Sequence, residues 1–222
     1  MPKQTVIPSL PGYVWDTRFG SGRYRIILPD GRLGALVSRD EIVSVVRNLH
    51  DASAARFGLL AQDAVAGRIA VADFQQAMML ELKHLYNASS ALAVGGYNKM
   101  TAVEWGRNGQ ILRGEYAYLA GFAQDIADGK LTPAQAEARA RLYAGKAYSR
   151  FWAEHSLQQQ AAGYTQERWN TAADERVCTG GSERAGCQGL GDLGWVAIGT
   201  LPNPGDGSTQ CLGACRCDKE FR

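Results

Sequence analysis

Residues 132–152, TPAQAEARARLYAGKAYSRFW, carry the clearest helix signal in the chain. Thr132 can cap a helix with its side-chain oxygen, and Pro133 suits the first helical position because no backbone donor is needed there. The small and apolar positions at helical spacing are Ala138, Leu142, Gly145, Phe151 and Trp152. The pattern predicts a helix that continues to about Gln160 and stops at Gly163.

Three segments before this helix have the same periodicity. The first begins at Ser38, which forms a capping box with Glu41. The second begins at Asp73 and is interrupted by ALAVGGYNKM (91–100), because Gly95-Gly96 is a poor helix interior. The third spans roughly 101–128. Their predicted core residues are Ile42, Val45, Val46, Leu49, Ala52, Phe57 and Leu60 in the first, Phe74, Met78, Leu82 and Leu85 in the second, and Leu112, Tyr116, Leu119, Phe122 and Ile126 in the third.

The N-terminal segment, residues 1–37, differs in composition from these helices. Asp30-Gly31 lies between two apolar-rich runs, and this dipeptide favours the positive φ angles of a tight hairpin turn. We therefore predict a β-hairpin with strands at about 23–28 and 32–37. The prolines among the first twenty residues suit an extended arm that becomes ordered on a partner.

These patterns together predict a mainly α protein. Its helical body, residues 38–163, is expected to be an irregular bundle of about four long helices, because the heptad pattern is not sustained enough for a simple coiled coil. The arm and hairpin (1–37) precede the body, and a loop-rich module with many glycines and cysteines (164–222) follows it.

Composition excludes several classes of protein. Of the 222 residues, 45% are hydrophobic, which is enough for a real core, and 24 basic residues nearly balance 22 acidic ones. This balance does not favour a dedicated nucleic-acid or membrane-surface protein. The N-terminus has no secretory signal and no apolar run is long enough for a membrane span, so we expect a soluble protein made in a cytosol.

All five cysteines lie in the C-terminal module: Cys178, Cys187, Cys211, Cys215 and Cys217. A loop-rich segment of this length buries little apolar area, and four thiolates around a structural zinc ion can replace the missing core. The favoured ligands are Cys178, Cys187 and Cys211 with either Cys215 or Cys217. One or two disulfides, or free thiols, are the alternatives.

Residues suited to catalysis do not form a recognisable constellation in the sequence. The histidines are His50, His84 and His155, and all three fall in predicted helices far from the cysteines. The carboxylates of the body are scattered and are expected on solvated faces: Glu81, Glu104, Glu115, Asp125 and Glu137. We therefore expect a protein that is not an enzyme.

A basic stretch offers an alternative role in binding nucleic acid. Its members in the last helix are Arg139, Arg141, Lys146 and Arg150, and those in the module are Arg216, Lys219 and Arg222. Such side chains could contact phosphates. The simpler interpretation for the helix is a solvated face balanced by Glu137 and Glu154.

The C-terminal module has Trp169, then Asp174-Glu-Arg176-Val-Cys178, then Cys187, and it closes with Cys215-Arg216-Cys217. In this order of residues it resembles the corresponding portion of tailed-phage minor head proteins, the Mu gpF-like head-morphogenesis family. The family pattern is a tryptophan on a helix, an Asp-x-Arg-x-Cys element, a second cysteine, a glycine/proline loop and a closing His-Pro-x-Cys-Arg-Cys. The matching residues are Trp169, Asp174, Arg176, Cys178, Cys187 and the run Cys215-Arg216-Cys217. Eight residues separate the first two cysteines, which is longer than usual, and Cys211 stands near the place of the family histidine.

The resemblance covers about a quarter of the chain and implies a structural protein rather than a catalyst. Such a protein would reside in the virion after synthesis in the bacterial cytoplasm and would be present in more than one copy. Its partners would be the portal or the major capsid protein, and in some relatives packaged DNA. Within the module, it implies that Asp174 pairs with Arg176, that Trp169 packs the last helix against the cysteines, and that Trp195 is the apolar centre.

Overall fold

The computed structural model describes residues 13–16, 23–37 and 39–222. Most of this chain is helical, which confirms the predicted mainly α fold. The long helices are α1 (Arg39–Val65), α2 (Val71–Val94), α3 (Ala102–Ala127) and α4 (Pro133–Ala161). The proposed Ser38 cap and the first twelve residues of the arm lie outside the described residues.

Helix starts follow local side-chain chemistry. Thr132 caps α4 as predicted, and Gln135 completes a capping box there. Thr101 and Glu104 form a second capping box at the start of α3, which the sequence pattern had not singled out. Helix α2 continues through 91–94 and stops where Gly95 adopts a φ of 99°, which confirms the break predicted at Gly95-Gly96.

Helix α4 is the central element of the body and packs against α1 and α2. The predicted face of α4 was wrong at Leu142, which is 40% exposed, and at Ala138, which is also exposed. The buried positions are instead Ala136, Ala140, Tyr143, Ala144, Ala147, Tyr148, Phe151 and Trp152. Small alanines dominate the first half of this face, so neighbouring backbones approach closely without large apolar side chains.

The core residues predicted for the other helices are largely confirmed. Phe74, Met78 and Leu82 of α2 are fully buried, and Phe122 of α3 packs edge-on against Phe74 with ring centroids 5.5 Å apart. A second cluster at the other end of the bundle surrounds Trp152. Among helices in the described part of the chain, none combines the length and apolar character that a membrane span requires.

The predicted hairpin is present as strands β2 (Arg23–Ile27) and β3 (Leu33–Leu36). Gly31 has the positive φ that the turn requires, 79°. A further strand, β1 (Tyr13–Asp16), pairs antiparallel with β2 and makes a three-stranded sheet. The sequence pattern did not predict β1.

The C-terminal module contains regular structure that the sequence had not predicted. Strands β4 (Gln166–Asn170), β5 (Val196–Ala197) and β6 (Asp218–Phe221) form an antiparallel sheet with β4 in the centre. A short helix, α5 (Cys187–Asp192), lies between β4 and β5 along the chain. Trp169 therefore stands on a strand, not on a helix as the family pattern implied.

Several contacts fasten this module to the helical body. The short 3-10 turn at Leu212–Ala214 packs on α4 where Gly145 removes the side chain. The Tyr148 hydroxyl of α4 donates to the Cys217 carbonyl at 3.0 Å, and Arg47 of α1 pairs with Asp218 at 3.0 Å. Both helices thus hold the CRCD segment that leads into β6.

Candidate metal centre

The five cysteines converge on one place in the module, as predicted. Their sulfur atoms form two groups in which every Sγ lies within 4.8 Å of the others. We call Cys178, Cys187 and Cys211 the outer triad, and Cys187, Cys215 and Cys217 the inner triad. Cys187 at the start of α5 belongs to both.

The sulfur–sulfur distances suit metal ligands better than disulfides. The Sγ of Cys187 lies 3.4 Å from that of Cys211 and 3.8 Å from that of Cys215. Sulfurs bound to zinc at about 2.3 Å stand about 3.8 Å apart in a tetrahedron, whereas a disulfide needs about 2.05 Å. All five cysteines are free thiols in this structure.

Two sulfurs of the outer triad have polar neighbours in the protein. The backbone N–H of Cys187 donates to Cys178 Sγ at 3.3 Å. The Thr209 hydroxyl lies 3.1 Å from Cys211 Sγ. Hydrogen bonds to a ligand atom orient it and stabilise its thiolate form, as expected around a metal.

Hydrogen bonds among the thiols shift their pKa values in opposite directions. Hydrogen bonds from Cys187 and Cys215 lower the pKa of Cys211 to about 2 and that of Cys217 to about 3. Hydrogen bonds to Cys211, Cys215 and Cys217 raise the pKa of Cys187. Several thiolates at this spacing repel one another, so a bound cation would allow more of them to be charged at once.

The cluster is closed on one side by apolar side chains. Cys187, Cys215 and Cys217 are buried, and Trp169 and Leu201 pack with them. Trp169 is therefore the apolar centre of the module, and the expectation for Trp195 was wrong. Trp195 is half-buried, and Arg168 and Arg222 stack on its ring at 5.0 and 4.5 Å.

Asp174 connects the two ends of the module. Both of its carboxylate oxygens accept from the Arg216 guanidinium, with one contact at 2.7 Å, and this hydrogen bonding lowers the pKa of Asp174 to about 2. Arg176, the expected partner, also pairs with Asp174: its guanidinium lies 3.6 Å from the carboxylate, and its backbone N–H donates to it at 3.1 Å. The main partner of Asp174 is therefore the arginine between Cys215 and Cys217, a contact that the linear pattern does not reveal.

A buried ion pair supports the sheet beneath the cluster. Lys219 Nζ lies 2.5 Å from Glu167, and both side chains are at most 1% exposed. The other Glu167 oxygen accepts from the backbone N–H groups of Gly199 at 3.0 Å and Leu201 at 2.7 Å. Sequence reasoning missed this pair because charged residues on a short strand are normally assigned to solvent.

The histidines lie in the helical body, away from the cysteines. His50 is buried, donates from Nδ1 to the Ala144 carbonyl at 3.0 Å, and has a pKa lowered to about 4 by burial. His155 stacks on Phe151 with ring centroids 5.4 Å apart, and His84 is exposed. Among the described residues, the groups that could hold a metal contain cysteines only.

Two body carboxylates differ from the expectation of a solvated face. Glu104 is 8% exposed and caps α3 through Thr101, and Glu115 is 6% exposed and pairs with Lys146 at 3.1 Å. The other three pair with nearby basic side chains: Glu81 with Arg56, Asp125 with Arg139 and Lys130, and Glu137 with Arg141. These pairs link or brace the helices.

An open groove of about 780 Å³ lies within the cysteine module. Arg168 and Asp174 line it and are bound within the protein, to Glu220 and Arg216 respectively. Glu175 and Asp192 also line the groove, so acidic side chains outnumber basic ones there.

No protein-family model, curated protein or solved structure matches this chain. What the geometry itself supports is a cysteine cluster that could hold a metal ion, attached to a helical body.

Proposed function

We propose that this chain is a structural head protein of a tailed phage, which binds portal or capsid subunits during head assembly. Its helical body and N-terminal sheet would provide the contact surfaces, and several copies would enter each particle. The cysteine module would be closed by a structural metal ion of the zinc class.

The pairing of Asp174 with Arg216 supports this proposal most directly. These residues come from the two separate parts of the sequence that resemble the minor head family, the Asp-x-Arg-x-Cys element and the closing Cys-Arg-Cys. Trp169, the first residue of the resemblance, packs on the cysteines from both parts. Residues that match the family thus contact one another, which favours a shared module over a chance match.

The interior of the helical body also favours a scaffold role. Glu154 is fully buried and accepts two hydrogen bonds from Arg107, at 3.0 and 2.9 Å, while pairing with Arg150. Asn108 extends this network by accepting from Arg150 at 2.9 Å. The network engages its charges within the bundle, and a fully paired buried network makes a helix arrangement more specific.

The N-terminal sheet supplies a candidate contact surface. Four apolar side chains of the hairpin are between 36% and 42% exposed: Ile26, Ile27, Leu33 and Leu36. Among the side chains of the hairpin that the structure describes, Val37 at its end is the one that joins a core cluster, and these four do not. Covering these side chains with a partner subunit would be favourable by the hydrophobic effect.

Analysis of assembled particles tests the proposal. The chain would be co-produced with the portal and capsid proteins of a tailed phage, and purified heads would be examined by mass spectrometry and imaging. We expect the chain in heads or in assembly intermediates, and its absence from both would refute the proposal. The L33E/L36E variant should lower incorporation while leaving the far-UV circular dichroism of the body unchanged, and an L193E variant, exposed on the module instead, is the matched control.

The nucleic-acid alternative receives less support from the side-chain contacts. Lys219 is buried against Glu167, and Arg216 is bound to Asp174. The basic residues of α4 are paired as well: Arg139 with Asp125, Arg141 with Glu137, Lys146 with Glu115 and Arg150 with Glu154. Retention on DNA at low salt that weakens steeply as salt rises would favour this alternative over the structural role.

A further inference from the structure

The two cysteine triads share one thiol and together contain five. Each triad supplies three sulfurs, one fewer than a tetrahedral thiolate site needs. An ion bound at either triad takes its fourth ligand from the other triad or from water. The identity of that fourth ligand determines which cysteines are indispensable.

Distances from Cys187 indicate which thiol each triad would recruit. Cys215 Sγ is 3.8 Å from Cys187 Sγ, so it is the inner thiol placed to complete the outer triad. Cys211 Sγ is 3.4 Å from Cys187 Sγ, so it is the outer thiol placed to complete the inner triad. Both arrangements contain Cys187, Cys211 and Cys215, and they differ only in Cys178 or Cys217. Because Cys211 and Cys215 belong to different triads, binding the ion must bring their two sulfurs closer together.

We propose that the cluster binds one tetrahedral cation of the zinc class through three constant ligands, Cys187, Cys211 and Cys215, and that Cys178 and Cys217 are interchangeable as the fourth. This inference rests on the structural metal in the proposed function and specifies how that metal is held. One thiol of the five is thus a reserve ligand.

The two interchangeable thiols have different surroundings. Cys217 is 3% exposed and its carbonyl is held by Tyr148, so it is protected inside the module. Cys178 is partly exposed, and its sulfur accepts the Cys187 N–H at 3.3 Å. Chemical modification of the exposed Cys178 would therefore leave a protected replacement in place.

Zinc binding by cysteine-to-serine variants tests the ligand pattern. Zinc would be titrated in competition with a chromophoric chelator, and native mass spectrometry would count ions per chain. We expect one zinc ion, with affinity within about 10-fold of the parent for C178S and for C217S. The C187S variant and the C178S/C217S double variant should each lose about 100-fold or more, because C187S lacks the thiol that both triads share and the double variant keeps only three thiolates.

A 100-fold loss in either C178S or C217S alone would overturn the inference, as would two ions per chain or none. The double variant distinguishes interchangeable ligands from residues that do not bind zinc. If Cys178 and Cys217 replace each other, the loss of zinc affinity in C178S/C217S must far exceed the sum of the losses in the two single variants. Simple additivity of the two single effects would also overturn it.

Alkylation of the unsubstituted protein gives a readout that does not depend on variants folding. The zinc-loaded chain would be treated with iodoacetamide and mapped by peptide mass spectrometry. We expect one rapidly modified cysteine, Cys178, with the zinc retained afterwards. Release of zinc on modification of Cys178, or rapid modification of Cys211 or Cys215, would overturn the inference.

The zinc-binding experiments and the particle experiment test the two proposals independently. A zinc ion held by a different set of cysteines refutes the reserve ligand and leaves head assembly unaffected. Absence of the chain from particles refutes the head protein and leaves the zinc titration unaffected.

Discussion

The backbone of Gly213 lies directly against helix α4 at Gly145, where a β-carbon would overlap the Gly213 carbonyl. Gly205 approaches the same turn of α4, and a β-carbon on Gly205 would lie 2.5 Å from the Gly145 carbonyl oxygen. Three glycines thus bring two loops of the cysteine module onto one turn of the body. Glycine inside a helix costs about 0.5–1 kcal/mol relative to alanine, so Gly145 is explained by the contact it permits.

The Gly145→Ala substitution should weaken the attachment of the module. We expect a loss of about 3 kcal/mol or more in the free energy of unfolding, because the added methyl group meets backbone atoms that cannot rotate away. Urea denaturation followed by circular dichroism measures the loss, and limited proteolysis should show cleavage in residues 164–222 before the body is cut.

Gly121 of α3 is a matched control, because a β-carbon there would have no neighbour within 4 Å. Gly121→Ala should stabilise the protein by up to about 1 kcal/mol through helix propensity. Equal effects of the two substitutions would contradict the close contact between Gly145 and Gly213.

The buried pair of Glu167 and Lys219 predicts a non-additive result. Lys219→Met leaves a buried carboxylate without its counter-charge, and breaking such a pair costs about 3–5 kcal/mol. In the K219M/E167Q double variant the neutral amide oxygen can still accept from Gly199 and Leu201, so most of the loss should be recovered. Urea unfolding of the two variants provides the comparison, and a double variant less stable than K219M would refute this account.

The helices could be predicted because their signals are local. Caps such as Thr132 and large apolar side chains such as Phe74 and Met78 identify a helix and its buried face from neighbours in sequence. The face of α4 was assigned wrongly because Ala140 and Ala144 contact neighbouring helices through small side chains that carry little periodic signal.

The module was harder to predict because its determinants are long-range. Strand β4 buries Glu167 and Trp169 on one face. A half-buried strand is recognised by alternating apolar and polar residues, and the charged Glu167 at a buried position breaks that pattern. The convergence of the cysteines was predicted from their number and their loop-rich setting. The contact of Asp174 with Arg216 spans 42 positions in the chain, so it could be recognised only once the fold was known.

His50 predicts a loss of stability in mild acid. Its folded-state pKa is lowered to about 4 from the ordinary histidine value of 6.5, because burial disfavours the charged ring. Well above pH 6.5 the ring is neutral in both states. As the pH falls towards 4, the unfolded chain binds a proton that the folded chain does not. Linkage gives a loss of about 2 kcal/mol by pH 5. Urea unfolding at pH 7 and pH 5 should show this difference for the parent chain.

The His50→Gln variant removes the titrating group and keeps a donor for the Ala144 carbonyl. It should be less sensitive to the change from pH 7 to pH 5 by roughly the same 2 kcal/mol. An unchanged pH dependence would mean that other groups cause the acid sensitivity.

Metal removal should unfold the module selectively. The cluster of cysteines, Trp169 and Leu201 is the apolar centre of residues 164–222, and it is small compared with the clusters of the helical body. If an ion replaces the missing core, a strong zinc chelator should make this segment sensitive to protease while the far-UV circular dichroism of the helices changes little. Adding zinc back in slight excess should restore protection, whereas magnesium should not, because thiolates prefer softer cations. Equal protease resistance with and without the chelator would show that packing on α4, through Gly145 and Tyr148, is sufficient to order the module.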